Sequence, residues 1–160
     1  MDAGGGNPDR SPIAAGEWLR DTHATNVVIL HAGHDEASPH VARLLPTARR
    51  WVFDVIDPAG RLSPSLRRAR AAATAAGTAV PLERIPLPDA SAGLVLISFA
   101  AHEIRADAPR VACFREVAGI IGAQGRAVVV EHQRDAWNFP VYGPGCLHFL
   151  TRRTWMRTFS

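Results

Sequence analysis

The chain has no lysine: all eighteen of its Lys and Arg residues are arginine. It also has only one tyrosine, two methionines and two cysteines among 160 residues. Two cysteines, Cys113 and Cys146, are too few for a disulfide framework and fit a reducing cytoplasm. No apolar run approaches the roughly 20 residues of a membrane-spanning helix, so no membrane association is expected. The opening MDAGGGNPDRSP shows no basic cap followed by an apolar stretch, so no secretory signal is read there. The net charge is +3, and the use of arginine alone, with abundant alanine, looks more like coding bias in a GC-rich genome than a nucleic-acid footprint. The arginines cluster at Arg49-Arg50, at Arg67-Arg68 with Arg70, and at Arg152-Arg153 with Arg157. No aromatic interleaving or zinc-finger spacing accompanies them, which favours solvated helix faces over a nucleic-acid surface.

What is present is a core. At 47% hydrophobic and 21% charged residues, the composition is that of one soluble globular domain, expected over 11–160 behind a Gly-rich, disordered arm at 1–10. Ser11-Pro12 and Ser63-Pro64 both read as helix starts, Ser as cap and Pro in the first turn. The second of these helices runs through alanines to a stop at Gly77. Short, mainly apolar runs at Val27–Leu30, Trp51–Ile56, Leu94–Phe99 and Ala127–Val130 suit buried parallel strands. Val80–Arg84 adds an edge strand, since Pro81 cannot donate to a ladder. Gly122 and Gly125 bracket a turn. Trp51 is expected in the core. Helices are expected ahead of Pro46, at Pro109–Ile121 with Val111, Phe114, Val117, Ala118 and Ile121 on one face, and from Thr151 onward. This alternation predicts an α/β fold: a doubly wound, mostly parallel sheet of about five strands, covered on both faces.

Ligands of such sheets bind at the carboxyl ends of the strands, where strand order reverses. The polar residues there are His31 and His34, Asp54 and Asp57, His102 and Glu103, and Glu131 and His132. The four histidines and the acids Asp35, Glu103 and Glu131 could converge on a metal. His-x-x-His across a loop matches no recognised zinc spacing, however, and no metal site is assigned.

The runs VVILHAGHDEA, VFDVIDP, LSPSLRRAR, IPLPDASAGLVLISFAAHEI and REVAGIIGAQGRAVVVEH resemble, in order and spacing, those of class I S-adenosylmethionine-dependent methyltransferases. The likeness covers about residues 25 to 132. It implies a Rossmann-like methyltransferase fold, S-adenosylmethionine as cofactor, and methyl transfer to a small-molecule acceptor. By position Gly33 matches the first glycine of the family's loop, and either Asp54 or Asp57 its ribose-binding acid. Phe99 and Ala100 would lie near the adenine. For His31 a cofactor contact competes with a simple strand-end hydrogen bond. His102 and Glu103 would face the reacting groups as base and orienter, against the plainer reading of a polar loop pair. Trp137, Phe139 and Tyr142 would line the acceptor pocket, or else pack a loop on the core.

The departures from the family are specific. His31 stands where an acidic residue is usual, Asp35 and Ala37 where two further glycines are, and Gly93 where an aspartate is. Asp35 and Glu36 put negative charge where the cofactor's carboxylate would sit. The family's last two strands have no counterpart in these 160 residues, which leaves the fifth strand as an apolar edge. Either the 138–160 tail, a second copy of the chain or a partner protein is expected to cover it. A non-catalytic subunit that binds through this edge is therefore the alternative to an enzyme.

Overall fold

The computed structural model describes Leu19 and residues 22–56 and 77–160. The arm at 1–10, both Ser-Pro helix starts and Asp57 lie outside the described residues. Five strands form one parallel sheet: β1 (Asn26–His31), β2 (Arg49–Ile56), β3 (Thr78–Pro81), β4 (Ala92–Ser98) and β5 (Ile121–Val130), in the order β3-β2-β1-β4-β5. The order reverses between β1 and β4, so the predicted switch point lies above His31 and Ser98. Register sets His31 opposite Asp54.

Strand periodicity divides the core into two layers. Val28, Leu30, Val95 and Ile97 face one side, while Val27, Ile29, Leu94 and Leu96 face the other. All eight are buried, each contributing about 1.5–3 kcal/mol. The first layer is closed by α2 (Asp107–Ile120) and α4 (Arg152–Phe159), the second by α1 (Ser38–Leu44) with Leu19. Thr151 caps α4, its hydroxyl accepting from the Thr154 amide at 3.2 Å. A short α3 (Phe139–Tyr142) and a 3-10 segment (Gly143–His148) link β5 to α4.

Three details differ from the sequence reading. Trp51 is only half-buried, its ring covered by the Arg49 guanidinium at 4.6 Å. The face of α2 that meets the sheet is Arg110, Cys113, Val117 and Ile120; of the predicted set only Val117 is buried. Phe114 instead turns toward α4, edge-on to Phe159 at 4.9 Å. The helix thus has two apolar stripes, and reading them as one displaced the buried face. Finally, Gly122 and Gly125 do not precede β5 but sit inside it. Ala92 pairs with Ile121 while Leu94 already pairs with Arg126, so the intervening residues bulge.

β5 ends the sheet, and among the described residues no strand lies beyond it. The tail lies elsewhere: α4 packs on α2, and the loop after β5 returns through a bridge between Gln133 and Leu150. No helix among the described residues is long and apolar enough to cross a membrane.

Candidate functional site at the carboxyl edge

The loop leaving β1 turns at Gly33, whose φ of +83° is open to glycine but strained for other residues. Its amide donates to Asp54 Oδ1 at 2.8 Å, joining the first loop to the acid of β2. Buried His31 lies 3.9 Å from the same oxygen. Asp35 then bends back: its Oδ1 accepts from the amides of Ala37 at 3.0 Å and Ser38 at 2.9 Å, at the entrance to α1. The hydroxyls of Ser38 and of Ser98, at the end of β4, are buried with no hydrogen-bond partner among the described residues.

Beyond β4 the chain makes a sharp turn, with Phe99 at φ +47° and its amide on Val130 O. The Phe99 ring stacks on His132 at 4.6 Å. Ala100 is fully buried, so it packs in the core beneath this turn. The 3-10 turn Ala101–Glu103 follows, and Glu131 at the end of β5 is its anchor. One Glu131 oxygen accepts from the Ala101 amide at 2.7 Å and the other lies 2.7 Å from His102 Nδ1. A carboxylate only accepts, so Nδ1 carries the proton and Nε2 is left toward Glu103. Glu103 Oε1 stands 3.6 Å from His102 Nε2 and 3.2 Å from His148 Nε2. Arg105 ties these segments together by donating to His148 O and, at 3.5 Å, to His102 O.

The structure therefore brings His31, Gly33 and Asp54 together beside the switch point, and His102 with Glu103 next to them across β4. Tyr142 joins this second group, its hydroxyl 3.1 Å from His132 Nε2 and its ring edge-on to Phe149. Burial, with the nearby His102, holds the His132 imidazole below its ordinary pKa. Phe139 is half in solvent and Trp137 is 88% exposed, so the tryptophan packs on nothing. Glu131 was read from the sequence as a polar strand-end residue but given no role in the site; His148, 45 residues beyond Glu103, was missed and had no signal. Among the described residues a cleft of about 510 Å³ opens at the opposite, amino edge of the sheet. Its only ionisable groups are His23 and Arg126, so it offers no comparable chemistry.

No protein-family model and no curated protein matches the chain in sequence. Solved structures do match in fold. An S-adenosylmethionine-dependent methyltransferase from Aquifex aeolicus aligns at 10% identity and TM-score 0.59, over 84% of this chain and 69% of its own. The plantazolicin methyltransferase BpumL, in complex with S-adenosylhomocysteine, aligns at 9% identity and TM-score 0.57, over 84% and 54%. The mitomycin 7-O-methyltransferase MmcR aligns at 16% identity and TM-score 0.57, over 86% and 42%. The chain thus spans between 42% and 69% of the length of these three proteins. With its five parallel strands, its switch point between β1 and β4 and these structural neighbours, the chain has the Rossmann-like fold of the class I S-adenosylmethionine-dependent methyltransferases.

Proposed function

We propose that the chain is an S-adenosylmethionine-dependent methyltransferase acting on a small molecule, with His102 as general base. The observation that carries this reading is the contact between Gly33 and Asp54, which assembles a left-handed glycine turn and a carboxylate at the switch point of this fold. These residues fit the nucleoside half of the cofactor. Glycine lets the backbone approach closely, and a carboxylate accepts from ribose hydroxyls. The unpartnered hydroxyls of Ser38 and Ser98 are further polar groups suited to a ligand. The methionine half meets one departure, since Asp35 already takes two of the amides at the entrance to α1. His31 contributes its buried ring behind Asp54. Phe99, stacked on His132, forms a wall.

When bound, the cofactor supplies a methyl group already activated by its sulfonium, so alignment is the protein's main task. His102 Nε2, with Glu131 fixing the tautomer, is placed to accept the proton of an acceptor hydroxyl or amine. Glu103, between the two imidazoles, orients the face that the acceptor meets. Tyr142 and Phe139 offer apolar surface on the tail side; Trp137 reaches that region only if its loop closes.

Calorimetric titration with S-adenosylmethionine and S-adenosylhomocysteine tests the reading. Micromolar binding is expected, abolished by Gly33→Asp and weakened by Asp54→Ala. No binding by the folded chain at millimolar ligand would overturn it. Asp35 and the unpartnered margin at β5 favour one second reading, a non-catalytic subunit whose β5 edge binds another copy or a partner. That reading expects a stable dimer or hetero-complex and no response to the cofactor.

A further inference from the structure

We infer that His102, Glu103 and His148 form a binding site for a divalent transition cation of the zinc class. The inference does not depend on methyl transfer, but it shares His102 with it: a cation bound at Nε2 takes the lone pair that the base would use, so the metal-bound form has no base at His102. One ligand atom from each, a ring nitrogen of both histidines and a carboxylate oxygen of Glu103, lies within 4.8 Å of the others. The two separations that involve Glu103 are 3.6 and 3.2 Å. Two ligands bonded at about 2.0–2.1 Å to one tetrahedral zinc stand about 3.3 Å apart. The carboxylate is therefore already at metal-sharing distance from both imidazoles.

The support is of the kind metal sites require. Glu131 accepts the Nδ1 proton of His102 at 2.7 Å, which fixes the ring and turns the Nε2 lone pair toward Glu103. A lone pair and a carboxylate oxygen then face each other at 3.6 Å, two acceptors that a cation between them would join. Glu131 and Glu103 bring two negative charges to the place; the Arg105 guanidinium opposes them but is spent on the carbonyls of His102 and His148. Those bonds hold the two histidine segments side by side before any ion arrives. His102 and Glu103 are largely buried, whereas the His148 side chain is 37% exposed. The site consequently has a dry floor, an open side, and room for water or an acceptor oxygen in the remaining positions.

Donor chemistry selects the ion. Two imidazoles and one carboxylate suit zinc, cobalt or nickel; magnesium and calcium prefer all-oxygen shells. The ligands are adjacent (102 and 103) or far apart (148), which is why no spacing motif announces them.

The test uses the full chain, stripped of metal by a chelator, titrated with zinc chloride by calorimetry and with cobalt(II) chloride by visible absorption. One equivalent is expected to bind, with ligand-field bands of a low-coordinate site. His148→Ala and Glu103→Gln should each weaken binding at least tenfold, and Glu131→Gln about 10–100-fold without removing a ligand. His34→Ala should leave binding unchanged; it removes the competing exposed pair, in which His34 stands 3.6 Å from Glu36. Circular dichroism melts confirm that each variant is folded, and half-exposed His148 makes its variant the safest. Zinc binding that survives His148→Ala, or is lost in His34→Ala, overturns the site. So does no binding at millimolar zinc. A cofactor titration on the same metal-free sample separates the two proposals, because cofactor binding without zinc binding removes only this one.

Discussion

Asp35 sets a carboxylate at the entrance to α1. Its carboxylate satisfies two amides at the start of α1, a position that favours anions because unpaired N–H groups converge there. An anionic ligand group must displace it or approach it. Asp35→Asn keeps an oxygen for the amides and removes the charge. The expected outcome is cofactor binding about tenfold tighter, or about 1.4 kcal/mol, read by calorimetry; unchanged affinity would place the cofactor's carboxylate elsewhere. The charge conflict was legible from the sequence alone, because Asp35 and Glu36 stand two and three residues after the loop glycine. That the aspartate would solve it by capping was not, since this depends on the path of the backbone after Gly33. At this scale the residues adjacent to strand ends were readable. His148 was not, because nothing local to its sequence marks a residue brought back by a long excursion.

Elements were read with uneven success for physical reasons. The strands are short apolar runs bounded by turn residues, so their existence and order were plain, and each was found within a few residues. α2 was misjudged because its buried face includes Arg110, which patterning counts as polar. β5 was read as starting late because its glycines suggest a turn. They serve a bulge instead, where a side chain at Gly125 would put Cβ 2.7 Å from Ala92 O and 2.9 Å from Ile121 Cγ2. One of those contacts is backbone and cannot rotate away. Gly125→Ala is therefore expected to destabilise the chain by about 1–3 kcal/mol, measured as a lower urea midpoint. An unchanged midpoint would mean that the bulge relaxes freely.

Across the whole molecule, Arg110 joins the parts that the sheet does not. Its guanidinium is 1% exposed and donates to Ile104 O at 2.8 Å, to Thr158 Oγ1 at 2.9 Å and to Asp107. It thereby connects α2, α4 and the turn that carries His102. Arg110→Met fills similar space but leaves the Ile104 carbonyl without this donor, and about 2–4 kcal/mol of stability should be lost. Arg110→Lys should restore little, because one ammonium cannot reproduce the planar fork. Full rescue by lysine, in denaturant titrations, would show that charge alone matters. The alternation of strands and helices pointed to a doubly wound parallel sheet but not to this buried cation, whose partners lie up to 48 residues away.

The bond between Glu103 and His148 closes a 45-residue excursion of the chain. Any ligand that grips both residues acts as a non-covalent staple across that excursion, and linkage makes the effect reciprocal. At a concentration a hundredfold above its dissociation constant, such a ligand adds about 2.7 kcal/mol to the docked state of the tail. Conversely, whatever loosens the tail weakens the ligand by the same factor. Occupancy of the carboxyl edge and order in the last third of the chain are thus two readings of a single equilibrium, and amide exchange in the tail would report on chemistry at the sheet.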